Sequence, residues 1–189
     1  MRTFIFGGSF NPVHNGHLYI IREVFRELGY ERAILVPANI ASHKENLTKL
    51  TPEDRLMMLR AAAEEIPDCI VEDCDIRRGG VTYSIDTVSY ILGKYDITGK
   101  PGFIIGDDLL PAFNTWREPD RLKELVELIV VRRDMEEMYE SEYPDRYIMN
   151  RRYTLSSTEI RERVRQGLSI ENMVPEKVRE LIERNRFYR

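Results

Sequence analysis

The sequence predicts an α/β fold: a doubly wound parallel sheet, helices on both faces, and a small C-terminal helical element. Three observations carry this. Apolar runs of strand length alternate with amphipathic runs of helix length along most of the chain, as successive βαβ units require. Phe4-Ile5-Phe6 and Leu128-Ile129-Val130-Val131 are apolar without alternation, which suits strands covered on both sides. The distinctive polar and glycine-bearing segments fall just after the strand-like runs, where open parallel sheets bind their ligands.

The elements follow in order. Thr3–Gly7 reads as the first strand. Gly16–Leu28 reads as a helix with Leu18, Ile21, Val24, Phe25 and Leu28 on one face, and Gly29 ends it. Arg32–Pro37 is the second strand. Thr51 is an N-cap, Pro52 a first helical residue and Glu53-Asp54 first-turn acids, for a helix running to about Glu65. Cys69–Ile76 is expected as a third strand, Ser84–Lys94 as a helix and Gly102–Gly106 as a fourth strand. Helical material at Pro119–Glu127 leads to a fifth strand, Leu128–Arg132. Met135–Asp145 reads as a connecting loop with some helix. Ser156–Gln166 and Pro175–Asn185 are the helices of the C-terminal element. The expected organisation is one domain, 1–189, with a core over 1–150 and the helical element over 151–189.

Composition narrows the function. The chain has 189 residues, 42% hydrophobic and 32% charged, with a net charge of −4. That size can bury a real core. The charge is uneven: Asp145–Arg189 holds ten Arg, one Lys and seven acids, a local +4, leaving −8 for the rest. An acidic whole argues against a dedicated binder of polymeric nucleic acid. No apolar run reaches the length of a membrane span, and the N-terminus lacks a long apolar signal region. Two cysteines, Cys69 and Cys74, make no disulfide scaffold, so a cytoplasmic setting is expected. Oligomeric state is not readable.

The three histidines, His14, His17 and His43, all fall in the first quarter of the chain. Gly7-Gly8-Ser9-Phe10-Asn11-Pro12-Val13-His14-Asn15-Gly16-His17 joins the first strand to a helix start. Its glycines permit close approach of a ligand, and free N–H groups at a helix start favour an anion. It is neither a Walker A loop nor a G-x-G-x-x-G fingerprint. Placed three apart at the helix start, both imidazoles can face an anion pocket and donate to a phosphoryl oxygen. Two unrelated loop histidines would give the same spelling. Zinc would need acidic or thiolate partners that are not locally spaced, so no resident metal is expected.

This segment closely resembles the G-G-T/S-F-D/N-P-x-H-x-G-H signature of the H-x-G-H nucleotidyltransferase superfamily. Further motifs, in order along the whole chain, narrow the resemblance to the bacterial nicotinate mononucleotide adenylyltransferases. Pro37-Ala38-Asn39-Ile40-Ala41-Ser42-His43-Lys44 resembles the family's P-x-x-x-P-P-H-K/R loop, with Ala41-Ser42 where prolines are usual. Thr82-Tyr83-Ser84-Ile85-Asp86-Thr87 resembles S-Y-T-x-D/E-T; Ser84 followed by Thr87 is also what a plain N-cap would look like. Gly106-Asp107-Asp108 resembles G-x-D, and Trp116 stands where the family has a tryptophan, although a lone tryptophan is also an ordinary core residue. Val130-Val131-Arg132-Arg133 resembles V-x-R-P, with Arg133 replacing the proline. Leu155-Ser156-Ser157-Thr158-Glu159-Ile160-Arg161 resembles I-S-S-T-x-I-R, and Ser156 with Glu159 has the spelling of a capping box.

The resemblance implies a Rossmann-like core and adenylyl transfer from ATP to nicotinate mononucleotide, with magnesium carried on ATP. It assigns ATP contacts to Gly7, Gly8, Ser9, Phe10, His14, His17, Gly106, Asp108, Ser157, Thr158 and Arg161. It assigns the mononucleotide to Asn39, His43, Lys44, Tyr83, Ser84, Trp116 and Arg132. Catalysis falls to His14, His17, Lys44 and Arg161, with the donors of Thr158 and Arg161 free for phosphate. The competing readings are an adenylyltransferase for another mononucleotide or for phosphopantetheine, and a non-catalytic nucleotide-binding regulator.

Overall fold

The structure is a computed structural model that describes residues 1–41, 50–132, 139, 141–149 and 154–189. Strand β1 (Thr3–Gly8) leads through α1 (Asn15–Leu28) to β2 (Arg32–Pro37). A short β3 (Ile40–Ala41), α2 (Pro52–Ala63), β4 (Cys69–Val71), α3 (Cys74–Arg78), a short β5 (Val81–Thr82) and α4 (Ser84–Lys94) follow. Strand β6 (Gly102–Gly106) runs into 3-10 turns over Asp107–Thr115, then α5 (Pro119–Leu125) and β7 (Glu127–Val131). Strand β8 (Arg146–Ile148), α6 (Ser157–Arg165) and α7 (Glu176–Asn185) complete the described chain.

Six strands form one sheet in the order β4-β2-β1-β6-β7-β8, every neighbouring pair parallel. The chain leaves β1 toward one edge, then returns to the other side of β1 at β6. That reversal is the topological switch point at which such sheets open a crevice. Strands β3 and β5 make a separate parallel pair, Ile40 opposite Val81. Among the described residues no helix is long and apolar enough to cross a membrane.

The period of two along each strand divides the core. Phe4 and Phe6, Ala33 and Leu35, Ile104, and Ile129 and Val131 face one side, against Leu18, Ile21 and Val24 of α1 and Met58 and Leu59 of α2. Ile160 of α6 and Val178, Leu181 and Ile182 of α7 join that same cluster. Ile5, Ile34, Val36, Phe103, Ile105, Leu128 and Val130 face the other side, against Ile85, Val88 and Ile91 of α4, Phe113, and Leu122 of α5.

The helix ends follow their residues. Gly29 closes α1 in the left-handed region at φ 63°, its N–H on Phe25 O. Thr51 and Asp54 cap α2 reciprocally. The sequence expectation of a strand through Ile76 is corrected: pairing with β2 stops at Val71, and the chain turns into α3 at Cys74. Glu72 makes the last backbone bond to β2, its N–H on Leu35 O at 2.9 Å, and Asp73 then stands as the N-cap residue of α3. The buried Glu72 carboxylate accepts from Lys94 Nζ at 2.6 Å, Tyr95 OH at 2.7 Å and Arg77 Nη2 at 3.1 Å. Burial alone would push Glu72 up, but these donors hold it below the usual carboxylate range. Strand β8 and the 3-10 segment were not anticipated.

The sheet's other end is closed by a different clamp. Tyr30 OH and Arg146 Nε both donate to Glu127, at 2.8 and 2.9 Å. Tyr30 lies directly over Gly102, where an added Cβ would stand 2.5 Å from its hydroxyl and 2.8 Å from Ile129 Cδ1. Gly102→Ala is therefore expected to cost about 1–3 kcal/mol through overpacking. A chemical-denaturation midpoint equal to wild type would contradict this packing.

Candidate active site

A cavity of about 530 Å³ opens at the carboxyl ends of β1, β2, β6 and β7. Its floor is strand-end backbone and side chain: Gly7, Gly8, Val36, Ile105, Gly106 and Val131. Gly8 has no room for a side chain that leaves Phe10 in place, since a Cβ would meet the Phe10 ring at 3.2 Å. Phe10 is at φ 44°, which turns its ring under the loop to pack edge-on against Phe6 and His17.

The two histidines of the loop form one unit. His14 is the extended N-cap residue of α1 and His17 occupies its first turn. Their rings stack with centroids 3.7 Å apart, and His14 N–H donates to His17 Nδ1 at 3.2 Å. An Nδ1 that accepts puts the proton of the neutral ring on Nε2. His17 is thereby set as a donor for a ligand in the cavity that both rings line.

Buried cations hold the surrounding loops. Arg55 of α2 is 6% exposed and donates to Ser9 O at 2.6 Å, Ala38 O at 2.7 Å and Asn39 O at 2.8 Å. Burial pulls its pKa down. The carbonyls it satisfies belong to the loops after β1 and β2, so one side chain sets the spacing of both. Arg161 of α6 donates to Asn11 O at 2.9 Å and to Thr158 Oγ1 at 3.1 Å. Ser157 Oγ donates to Pro12 O at 2.9 Å. The expectation that Arg161 holds its donors free is corrected to that extent: one N–H goes to the Asn11 carbonyl of the β1 loop and another to Thr158, whose hydroxyl accepts it. Ser156 caps α6 by accepting from Glu159 N–H at 3.1 Å, the forward half of the expected box.

Across the switch point the wall is different. Trp116 packs against Phe113 at 5.1 Å and Phe103 at 6.5 Å and is half-buried, with a surface on the cavity. It is thus a core residue and a wall residue at once. Ser84 opens α4 and lines the cavity, but Tyr83 is the N-cap residue, so the simple Ser84 cap is corrected. Thr87, one turn on, donates to Asp75 Oδ1 and Oδ2 at 2.8 and 2.9 Å. Asp75 is 2% exposed and also accepts from Arg78 at 2.8 Å. Burial pushes its carboxyl up, against the pull of Thr87 and Arg78.

Of the residues expected from sequence, the cavity gathers Gly7, Gly8, Ser9, Phe10, His14, His17, Asn39, Ser84, Gly106, Trp116, Arg132, Ser157, Thr158 and Arg161. Asn39 spends its Nδ2 donor on Gly80 O at 2.8 Å. Tyr83 and Asp108 stand outside the wall; the Tyr83 ring lies 4.8 Å beneath the Arg117 guanidinium, and Asp108 sits in the turn beyond Gly106. Ser42, His43, Lys44 and Arg133 lie outside the described residues. Sequence reasoning missed Arg55 and Asp75, and saw Thr87 only as a motif residue without its bond to Asp75. For Arg55 a signal was present: it stands on the buried stripe of α2 with Met58, Leu59 and Ala62, where an arginine needs buried partners. Among the described residues no cluster of three or more His, Cys, Asp or Glu could hold a metal.

Comparison with known proteins finds relatives along the whole chain. A cytidylyltransferase-like family model matches residues 5–163. A relative from Borrelia hermsii, named "probable nicotinate-nucleotide adenylyltransferase", is 36% identical over 188 residues, covering 100% of this chain and 98% of its own. A Borreliella burgdorferi protein of the same name is 37% identical over 188 residues, covering 100% and 97%. The solved Plasmodium falciparum nicotinic acid mononucleotide adenylyltransferase, complexed with NaAD, superimposes with a TM-score of 0.75 at 17% identity over 100% of this chain and 98% of that one, a likeness of fold. A full-length match at this identity, on a cavity built where the signature loop, the start of α6 and the start of α4 converge, places the chain in the nicotinate-nucleotide adenylyltransferase family of the cytidylyltransferase-like proteins.

Proposed function

We propose that this chain transfers the adenylyl group of ATP to nicotinate mononucleotide, giving the nicotinate adenine dinucleotide and pyrophosphate, a step of NAD biosynthesis in the cytoplasm. The observation that carries it is the two-ended cavity. One end offers imidazoles and helix starts to phosphates; the other offers an indole and a helix start to an aromatic anion.

A phosphate oxygen of the mononucleotide attacks the α-phosphorus of ATP in line. The new P–O bond forms as the bond to the β-phosphate bridging oxygen breaks, and pyrophosphate carries away the electron pair. No covalent enzyme intermediate is required, because the nucleophile is already an anion. The protein's contribution is positioning and neutralisation of charge on the transferring and leaving groups. His17 donates through Nε2, with His14 stacked behind it. The first N–H groups of α6, at Ser157 and Thr158, face the phosphates with whatever donors Arg161 retains beyond Asn11 and Thr158. Gly7 to Phe10 and Gly106 line the ATP side, and the Asp108 carboxylate beyond it accepts from a ribose hydroxyl. A divalent cation, magnesium, arrives on the ATP phosphates as part of the substrate.

At the other end Trp116 stacks on the pyridine ring, and the N–H groups at the start of α4, at Ser84 and Ile85, receive the carboxylate. Asp75 fixes that helix start through Thr87. Asn39, Arg132 and the His43-Lys44 pair complete the mononucleotide side. Residues 1–189 act as one catalytic unit, the element from 151 onward supplying the phosphate-binding turn.

Pyrophosphate release with ATP–magnesium and each of nicotinate mononucleotide, nicotinamide mononucleotide and phosphopantetheine tests the reaction. Release is expected to be fastest with the nicotinate compound; none with any acceptor would sink the reading. His17→Ala is expected to lower kcat about 100-fold, the usual loss for one transition-state donor, and near-wild-type turnover in a folded variant would remove it from the machinery. Trp116→Ala is expected to raise KM for the mononucleotide about tenfold, as loss of a stacking contact does, while KM for ATP stays put. An effect on ATP alone would refute the stacking role.

A further inference from the structure

Beyond α7 the chain turns back on the site. Arg186 and Tyr188 both adopt left-handed φ, 54° and 67°. Such conformations persist in residues other than glycine only where the surroundings hold them. Tyr188 is 7% exposed, and its hydroxyl donates to Asn11 Oδ1 at 2.8 Å, across 177 positions of sequence. Asn11 lines the cavity in the loop between β1 and the histidine pair. Its main-chain carbonyl already accepts from Arg161 at 2.9 Å. Asn11 is therefore gripped twice, by its carbonyl from α6 and by its side chain from beyond α7. Burial pushes the Tyr188 phenol up, opposed by the guanidiniums of Arg161 and Arg55. The tyrosine thus lies within electrostatic reach of both cations that hold the strand-end loops.

We propose that Tyr188 is a positioning residue for the ATP half of the site, acting through Asn11 to fix the loop that presents His14 and His17. The inference rests on the proposed reaction in taking ATP on the side of the signature loop and the mononucleotide on the side of Trp116. A hydroxyl that merely stabilised the C-terminal element would weaken both substrates together as the fold loosened. A hydroxyl that fixes Asn11 acts on the ATP side alone, since Trp116 and α4 belong to the opposite face of the sheet.

The test is Tyr188→Phe in the full chain, which keeps the buried ring and removes one hydrogen bond. Affinity for a non-hydrolysable ATP analogue, measured at equilibrium, is expected to fall about three- to tenfold, the usual net effect of one such bond. KM for nicotinate mononucleotide is expected to stay within about twofold. In an Asn11→Ala background the same change should add nothing, because the partner is gone. Unchanged ATP-analogue affinity overturns the proposal. So does an equal weakening of both substrates in step with a lowered unfolding temperature, and so do additive losses in the double variant. Wild-type protein that binds the analogue but releases no pyrophosphate overturns the reaction instead, and the analogue affinities then still decide Tyr188 in the same two ways.

Discussion

Everything in the site depends on the satisfaction of strand-end carbonyls. In an all-parallel sheet every strand delivers its last peptide groups to the same edge, and a chain that turns there through glycines leaves those groups without ladder partners. Leaving them buried and unpaired would cost more than any single contact in the cavity contributes. Here arginine meets much of that demand. Arg55 takes the carbonyls of Ser9, Ala38 and Asn39, and Arg161 takes that of Asn11. A guanidinium can reach several acceptors in a plane without losing its charge. The same residues therefore close the backbone account and leave positive charge beside the pocket.

Two of the 22 arginines, against 6 lysines in all, serve this purpose. A lysine could offer its three donors only from one point. Arg55 bridges two loops whose residues, Ser9 and Asn39, lie thirty positions apart. The long-range bonds of the C-terminal residues serve the same end: Ser157 to Pro12, Arg161 to Asn11, and Asn15 to Asn172 O at 2.7 Å. The signature loop is thus held from both sides by elements remote in sequence.

Periodicity and end signals located most of the fold. Arg32–Pro37, Ser84–Lys94 and Gly102–Gly106 have the bounds that their apolar runs and flanking residues predict. The errors are equally physical. Cys69–Ile76 looks like one run, but only its first three residues pair in register with β2; Glu72 gives a last N–H to Leu35 O, and the chain turns at Asp73 into α3. Strand β8 has no apolar run of its own and exists because β7 offers it a parallel edge. In the site, the motifs marked the wall residues, since each motif is local. The tethers were not readable, because Arg55 to Ser9 or Asp75 to Thr87 are pairs that only the packed sheet brings together.

The alternation of side chains along the strands has a consequence for how such a protein changes over time. The signature loop, α1 and α6 rest on one core; Trp116 and the start of α4 rest on the other, with the sheet between them. On the proposed reading, the transfer chemistry and the choice of acceptor are built into separate layers that meet at the carboxyl ends of β1, β2, β6 and β7. Drift in the acceptor layer can retune which mononucleotide is accepted without disturbing the machinery that moves the adenylyl group. A single ancestral scaffold of this kind can diversify by altering one layer while inheriting the other intact.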